Sequence, residues 1–464
     1  MNAPTPVVAT TVTDLASHIP TGLGTDLHQL VSDLYPFCRS ITGNGVRATL
    51  KRLATSIALD IHEVPTGTPV LDWTVPREWN VHAAWIADVE GHRLVDFSAS
   101  NLHVLGYSTP MNATLSFDEL RLHLYSLPDL PTAVPYRTSY WAERWGFCIS
   151  HEVLQQFEAR GSDAQYHVVI DSTLDDGHLS YGESFLPGDT DREILIHAHT
   201  CHPSLANDNL SGIAVAVALR QLLAQVEHRR YSYRFVFLPG TIGPITWLAR
   251  NEAAVAKIDA GIVLSNVGDR TSLSFKRSQR ETTMVDKAAD HVLRTWHEPG
   301  ATIAFSPFGY DERQYCSPGF DLAVGCLSRG IHGTFPEYHT SLDDCAFVDP
   351  AALADTVAAM VAILGVLEDD ATYVNTSPYA EPQLGRRGLY RSLSGTNVDP
   401  NRELALLWVL NQSDGRRSLL EIASRASLPF KVIRDAADLL LEVDLLQLVT
   451  PNLATHPTYQ SLLH

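Results

Sequence analysis

Between Tyr166 and Leu367 short apolar runs alternate with helical stretches, and this alternation restricts the fold more than any other feature of the chain. Glu193–His197 (EILIH), Arg234–Leu238 (RFVFL), Gly261–Leu264 and Leu322–Leu327 read as strands. Leu210–Val226, Ile245–Val255, Thr283–Trp296 and Ala351–Leu367 read as helices between and after them. Parallel neighbours need a crossover of about a dozen residues or more, usually a helix, so the expected fold class is α/β: a mostly parallel sheet sandwiched by helices. Ligands of such sheets bind beyond the C-terminal strand ends, where the winding reverses.

The flanking regions have different textures. Residues 1–25 are rich in Thr, Pro and Ala and are expected to be a flexible lead-in. Helices follow around Asp26–Leu34 and Gly45–Ser56, so the α/β domain is expected over 26–63 and 150–376. Residues 64–149 have dense Pro and aromatic residues and short apolar runs, the texture of an inserted β-rich unit. Its Trp73, Trp79 and Trp141 are assigned to core packing in preference to sugar stacking. A Pro/Gly/Arg-rich linker runs from about Ser377 to Asn397. After it, helical Glu403–Asn411, Ser418–Ala426 and Pro429–Val443 and the strand Leu445–Val449 follow the order of a winged helix-turn-helix, expected over 398–464. From Gly385 onwards there are nine Lys/Arg against eight Asp/Glu, and the recognition-helix candidate sets Lys431 and Arg434 against Asp435, Asp438 and Glu442. Phosphate contacts need excess positive charge, so protein-contact (self-association included) or structural use is expected of this domain and nucleic acid is not.

Whole-chain totals exclude further classes. The net charge of −19 argues against a general nucleic-acid or anionic-membrane binder. The six cysteines are scattered with no CxxC pair, which fits reduced thiols and a cytoplasmic protein. The first twenty residues lack a basic start and a signal-length apolar run, and no stretch is expected to approach the ~20 apolar residues of a membrane span.

Three segments carry chemistry. Ile196-His-Ala-His-Thr-Cys-His-Pro-Ser-Leu-Ala-Asn-Asp208 sets three histidines and an aspartate directly after a buried strand. Imidazole and carboxylate are the ligands zinc takes where a coordination position stays open, so His202 and Asp208 are candidate ligands and His199 an alternative or extra one. His197 is expected to face into the sheet as an ordinary hydrogen-bonded histidine. Gly333-Thr-Phe-Pro-Glu-Tyr-His-Thr-Ser-Leu-Asp-Asp344 follows a later strand, and its His339 can supply the distant third ligand. Glu337, Asp343 and Asp344 lie close enough in sequence to orient it or handle protons. In the Gly309–Gly319 loop, Glu312 is expected near the metal and Arg313 is expected to grip a carboxylate or order the loop, beside Asp311.

Asn207-Asp208-Asn-Leu-Ser-Gly212, the Asp311 loop and Tyr338-His-Thr-Ser resemble the zinc-aminopeptidase superfamily, which also includes glutaminyl cyclases. More closely, the chain resembles a bacterial aminopeptidase-like family joining an aminopeptidase domain, an inserted β-rich domain and a C-terminal winged helix. The marks run over nearly the whole length: Cys38-Arg-Ser-Ile-Thr-Gly43, Asp72-Trp-Thr-Val-Pro, Ser98–Tyr107, Pro135-Tyr-Arg-Thr-Ser-Tyr, Trp145-Gly-Phe-Cys-Ile, Cys201-His-Pro-Ser, Asp311-Glu-Arg-Gln-Tyr and Glu337-Tyr-His-Thr-Ser. Two departures matter. Where the superfamily pattern has His-x-Asp, this chain has His199-Thr-Cys201. Where it has a Glu-Glu pair after the next strand, one a base and one a ligand, this chain has Pro239-Gly-Thr-Ile-Gly243. The resemblance therefore implies one Zn²⁺ rather than two. Asp311, Glu312 or Glu337 would supply catalytic carboxylates, with Arg313 and Tyr338 on the substrate. The expected reaction is hydrolysis of an amide in a small aminoacyl or amino-sugar conjugate. Zinc-assisted cyclisation and a catalytically retired zinc scaffold are the alternatives.

Overall fold

Long apolar runs without polar alternation belong to strands buried on both faces, and the large sheet is built around them. The computed structural model describes residues 9–389 and 400–449. Its large sheet has eight strands: β1 (Asp60–Pro65), β2 (His178–Leu186), β3 (Glu193–His199), β4 (Ser232–Leu238), β5 (Ile258–Leu264), β6 (Ser274–Lys276), β7 (Ala301–Ile303) and β8 (Val324–Ser328). They lie in the order β1-β2-β4-β3-β5-β8-β6-β7. The central four, β4, β3, β5 and β8, are parallel, while β1, β2 and β6 bring in antiparallel pairings towards the edges.

Every residue of β3 is buried. Ile194, Ile196 and Ala198 face one core with Phe235, Ile262 and Leu264, and Leu195 faces a second with Val236, Val263 and Val324. The first core is closed by helices Leu23–Leu34, Gly212–Leu223, Met284–Thr295 and Pro350–Asp369. The buried carboxylate of Glu193 is matched by Arg234, which also pairs with Glu183. Because β3 has β4 on one side and β5 on the other, the winding reverses at β3 and opens a crevice past His199.

Four expectations need correction. The inserted unit does not close at residue 149: its four-stranded sheet takes its longest pairing from Gln165–Asp175, which lies against Glu78–Asp88 before the chain turns into β2. The helix His151–Ala159, just past the expected boundary, belongs inside the insert, where its Phe157 packs on Phe117 and Tyr166. Residues 9–22 are not a loose lead-in: Ala9, Val12 and Leu15 are buried, and Ala9 bridges to Val226; residues 1–8 lie outside the described part. The winged-helix sheet begins earlier than expected, because Thr372–Asn375 is its central strand between Asp414–Ser418 and Leu446–Leu448. Its helices are Pro400–Gln412, Leu419–Ala426 and Phe430–Glu442, while residues 390–399 and 450–464 of the expected linker and domain are outside the described part. Finally, Pro350–Asp369 is by length and composition apolar enough to cross a membrane. It is instead the spine of the first core, packed on helices Leu23–Leu34, Gly212–Leu223 and Met284–Thr295.

Candidate metal centre

The site is centred on Asp208, in the irregular segment between β3 and helix Gly212–Leu223. Asp208 is fully buried. Its Oδ1 lies 2.9 Å from His199 Nε2 and its Oδ2 lies 2.9 Å from His339 Nε2, and His202 Nδ1 is 3.9 Å from Oδ1. Burial opposes ionisation of Asp208, but the surrounding imidazoles of His202, His199 and His339 hold its carboxyl well below the usual range. Burial also lowers the basicity of His202 strongly and that of His199 less, which favours the neutral ring in each. An ionised carboxylate with neutral imidazoles is the protonation state a metal requires of its ligands.

The loop carrying Asp208 is fixed through its backbone. Asp343 accepts hydrogen bonds from the N–H groups of Asn207 (2.6 Å) and Asp208 (2.9 Å), and burial pushes its own carboxyl up to about 8. Asn207 spans to Gly268 and Asp269 beyond β5. Asn209 sets the neighbouring histidine. Its Nδ2 donates to Leu264 O at 2.8 Å and its Oδ1 accepts from Asn266 N at 3.3 Å, so the amide cannot turn without opposing two oxygens. The second Nδ2 hydrogen meets His199 Nδ1 at 3.0 Å. His199 therefore accepts at Nδ1 and carries its proton on Nε2, where it donates to Asp208.

The other expected residues divide. His197 lies inside the sheet with Nδ1 2.8 Å from Tyr315 Oη and Nε2 3.2 Å from Asp311 Oδ2. Asp311 is buried; its Oδ1 accepts from Thr241 N at 2.7 Å, and its Oδ2 has no hydrogen-bond partner. Glu312, expected near the metal, is instead committed to Lys276 at 2.7 Å, since a fully buried carboxylate needs a counter-charge. Arg313 grips no carboxylate among the described residues, and its Nε is buried without a partner. Glu337 contributes its backbone carbonyl, which accepts from Thr340, while its carboxylate makes no hydrogen bond or ion pair among the described residues. Asp344 caps the turn at Ala346 and Phe347 instead of handling protons. Tyr338 stacks on His339 with ring centroids 4.0 Å apart.

Several residues that complete the centre carry no ligand-type signal. Tyr136, from the insert, sets its ring edge-on to both His202 and His339, each at 5.1 Å, and its N–H donates to His339 O at 2.7 Å. Tyr310 stacks on His199 at 4.0 Å, with its hydroxyl 3.4 Å from His202 Nδ1. Arg39 donates from Nε to His202 O at 2.8 Å. All three lie in or beside the sequence motifs quoted above, which is the signal that could have found them. Thr241 (φ 61°), Asn266 (φ 55°) and His339 (φ 56°) all adopt the left-handed conformation around the site, a clustering seen where function over-determines the backbone. At Gly240 an added Cβ would lie 3.2 Å from Cys201 Sγ and 3.8 Å from Asp311 Oδ2.

The donor set fits one divalent ion. Ligating atoms of His199, His202 and Asp208 all lie within 4.8 Å of one another, and His339 reaches the second oxygen of Asp208. His199 and His339 both meet Asp208 through Nε2, and Asn209 holds the first in that tautomer through Nδ1, so His202, Asp208 and His339 are the candidate donors of a three-ligand set with an open position.

A sheet that reverses its winding at β3, with a buried carboxylate among imidazoles past the strand end, defines an aminopeptidase-like α/β fold joined to a winged helix. The chain belongs to the family described as "Domain of unknown function (DUF4910)", whose match spans residues 28–370, and a winged helix-turn-helix match spans 371–448. It is 43% identical over 426 residues to a Clostridium acetobutylicum protein named as a candidate polysaccharide biosynthesis protein with an aminopeptidase-like domain, covering 92% of this chain and 97% of that one. The crystal structure of a candidate peptidase from C. acetobutylicum superposes with a TM-score of 0.86 at 41% identity, covering 94% and 98% of the two chains. A zinc aminopeptidase from Bacillus subtilis shares the fold at 12% identity, with a TM-score of 0.55 and coverage of 74% and 95%.

Proposed function

We propose that the protein is a zinc-dependent hydrolase of an amide bond in a small aminoacyl or amino-sugar conjugate. The observation that carries this reading is the meeting of His202 and His339 at the buried carboxylate of Asp208, since that donor set leaves a position for substrate or water. His202, Asp208 and His339 would hold one Zn²⁺, with His199 orienting Asp208 by donating to it. Zinc, when bound there, supplies Lewis-acid polarisation of an amide carbonyl.

Among the carboxylates around the centre, Asp311 is the one assigned as general base, because its Oδ2 accepts no hydrogen bond and has only the His197 ring, 3.2 Å away, beside it, while Glu312 is neutralised by Lys276. In this reading Asp311 takes a proton from the attacking water as the water oxygen joins the carbonyl carbon. It returns that proton to the nitrogen as the C–N bond breaks. Tyr136, Tyr310 and Tyr338 wall the centre and keep bulk water from it. The relative named for polysaccharide biosynthesis supports the amino-sugar side of the substrate class.

The winged helix is read as a protein-contact module, self-association included. On its third helix Lys431 pairs with Asp435 at 2.8 Å and Arg434 pairs with Asp438, which leaves little positive charge for phosphates. Six free cysteines accord with a cytoplasmic setting.

The replacement of the usual Glu pair by Gly240-Thr241 favours one rival, a zinc-holding scaffold without turnover. The test is to load the full chain with zinc and follow aminoacyl amides and N-acyl amino sugars in ¹⁸O-labelled water. Hydrolysis puts one solvent oxygen into the acid product and stops on chelation. Full zinc loading with no turnover of any of them selects the scaffold, and a product without solvent oxygen selects acyl transfer or cyclisation.

A further inference from the structure

We propose that Trp73 and Trp141 form a platform for a pyranose ring, so that the substrate presented to the centre is an N-acylated amino-sugar saccharide. The two side chains are 39% and 45% exposed, with ring centroids 5.2 Å apart at an interplanar angle of 63°. The expectation that they pack in the core is corrected by contrast with Trp79 of the same unit. Trp79 is 3% exposed, stacks on Tyr107 at 5.7 Å and donates its indole N–H to Ser108 O at 2.9 Å. Neither the Trp73 nor the Trp141 N–H has a hydrogen-bond partner among the described residues. An angled pair of exposed indoles offers apolar faces to sugar C–H groups and free N–H donors to hydroxyls. The same two segments are tied by the Arg77–Glu143 ion pair, whose partly exposed groups add a donor and an acceptor at the rim.

What commits the platform to a substrate is its continuity with the metal centre. Trp141 packs on Tyr140 at 5.5 Å, Tyr140 follows Tyr136 by four positions in the same segment, and Tyr136 lies on His202 and His339. The five steps of chain from Tyr136 to Trp141 span at most about 18 Å, so one oligosaccharide can touch both ends. The saccharide part stands on the platform itself, whereas the N-acyl part rests on the amide-hydrolase reading.

The test uses the full chain, with tryptophan fluorescence and calorimetry during titration with tri-N-acetylchitotriose and, for comparison, cellotriose. Saturable binding of the acetylated trisaccharide is expected, weakened at least about 10-fold in Trp141→Ala and in Trp73→Ala with unchanged circular dichroism. Binding by the wild type without turnover in the zinc-loaded enzyme keeps the platform and overturns the N-acyl saccharide as the hydrolysed substrate. Equal binding of both trisaccharides keeps the platform and removes the N-acyl assignment. No binding of either at millimolar concentration, or wild-type affinity in both tryptophan variants, overturns the platform.

Discussion

His339 Nε2 lies 2.9 Å from Asp208 Oδ2 and so joins two segments 131 residues apart at one buried carboxylate. His339 is the more exposed partner, about a third accessible, and its backbone is held by Tyr136. Replacing it should therefore cost modest stability, roughly 1–2 kcal/mol for a lost hydrogen bond to a charged group, and a larger share of metal affinity. For His339→Ala we expect zinc affinity to fall by about 10-fold or more, read by competition with a chromogenic chelator, with denaturant unfolding reporting the fold. Unchanged zinc affinity would remove His339 from the ligand set.

Asn209 distinguishes His199 from the other two histidines. Its amide is pinned by Leu264 O and Asn266 N and presents a hydrogen to His199 Nδ1, so the ring donates from Nε2 to Asp208. His199→Gln keeps a side-chain donor at this place, and we expect it to retain one zinc per chain. His202→Ala, by contrast, should lose it. Metal content by mass spectrometry of the purified variants checks the pair, and loss of zinc from the Gln variant at the wild-type's folded fraction would restore His199 as a ligand.

The parallel centre of the sheet and the core of the site were readable in sequence for one reason. Strands buried on both faces have continuous apolar runs, and at the ends of two of them stand imidazoles and a carboxylate, residue types with few structural uses in that combination. The insert's true end was not readable, because Gln165–Asp175 pairs with Glu78–Asp88, some ninety residues earlier, and local texture carries no trace of that pairing. Tyr136 escaped for the same reason: its contact with His339 is made through an isolated bridge between Pro135 and Thr340. Glu312 misled because a charge beside Asp311 in a loop reads as functional, while its partly buried counter-ion Lys276 comes from β6, far off in sequence.

Gly240 occupies the stretch where the resemblance leads one to expect a Glu pair, and its surroundings show what a carboxylate there would meet. An added Cβ comes within 3.2 Å of Cys201 Sγ, so that side chain must yield by a few tenths of an ångström. The carboxylate would stand beside Asp311 and compete for the same proton. In Gly240→Glu we expect amide-hydrolysis kcat to rise at least about 10-fold, within the range general-base catalysis supplies. The cost in stability should be about 1–3 kcal/mol from overpacking. Steady-state kinetics at full zinc loading, beside an unfolding curve, separates the two effects. A folded, metal-loaded variant no faster than wild type would mean that the lack of a carboxylate at position 240 is not what limits turnover.

His291 links acid stability to the junction of the two domains. It is buried on helix Met284–Thr295, with Nδ1 3.2 Å from Ser424 Oγ of the winged helix and Nε2 unpartnered. Burial, reinforced by Arg294 and opposed by Asp290, lowers its pKa to about 4. The folded value is below the unfolded one, near 6.5, so the unfolded chain binds the extra proton. Stability is therefore complete above about pH 6.5 and declines as pH falls towards 4, by up to roughly 3 kcal/mol from this residue. His291→Gln removes the titrating ring, so the urea midpoint of the variant should flatten between pH 6.5 and 4 relative to wild type. Protease cleavage between the domains should also rise less on acidification. A parallel decline of both proteins across that interval would assign the acid sensitivity to other groups.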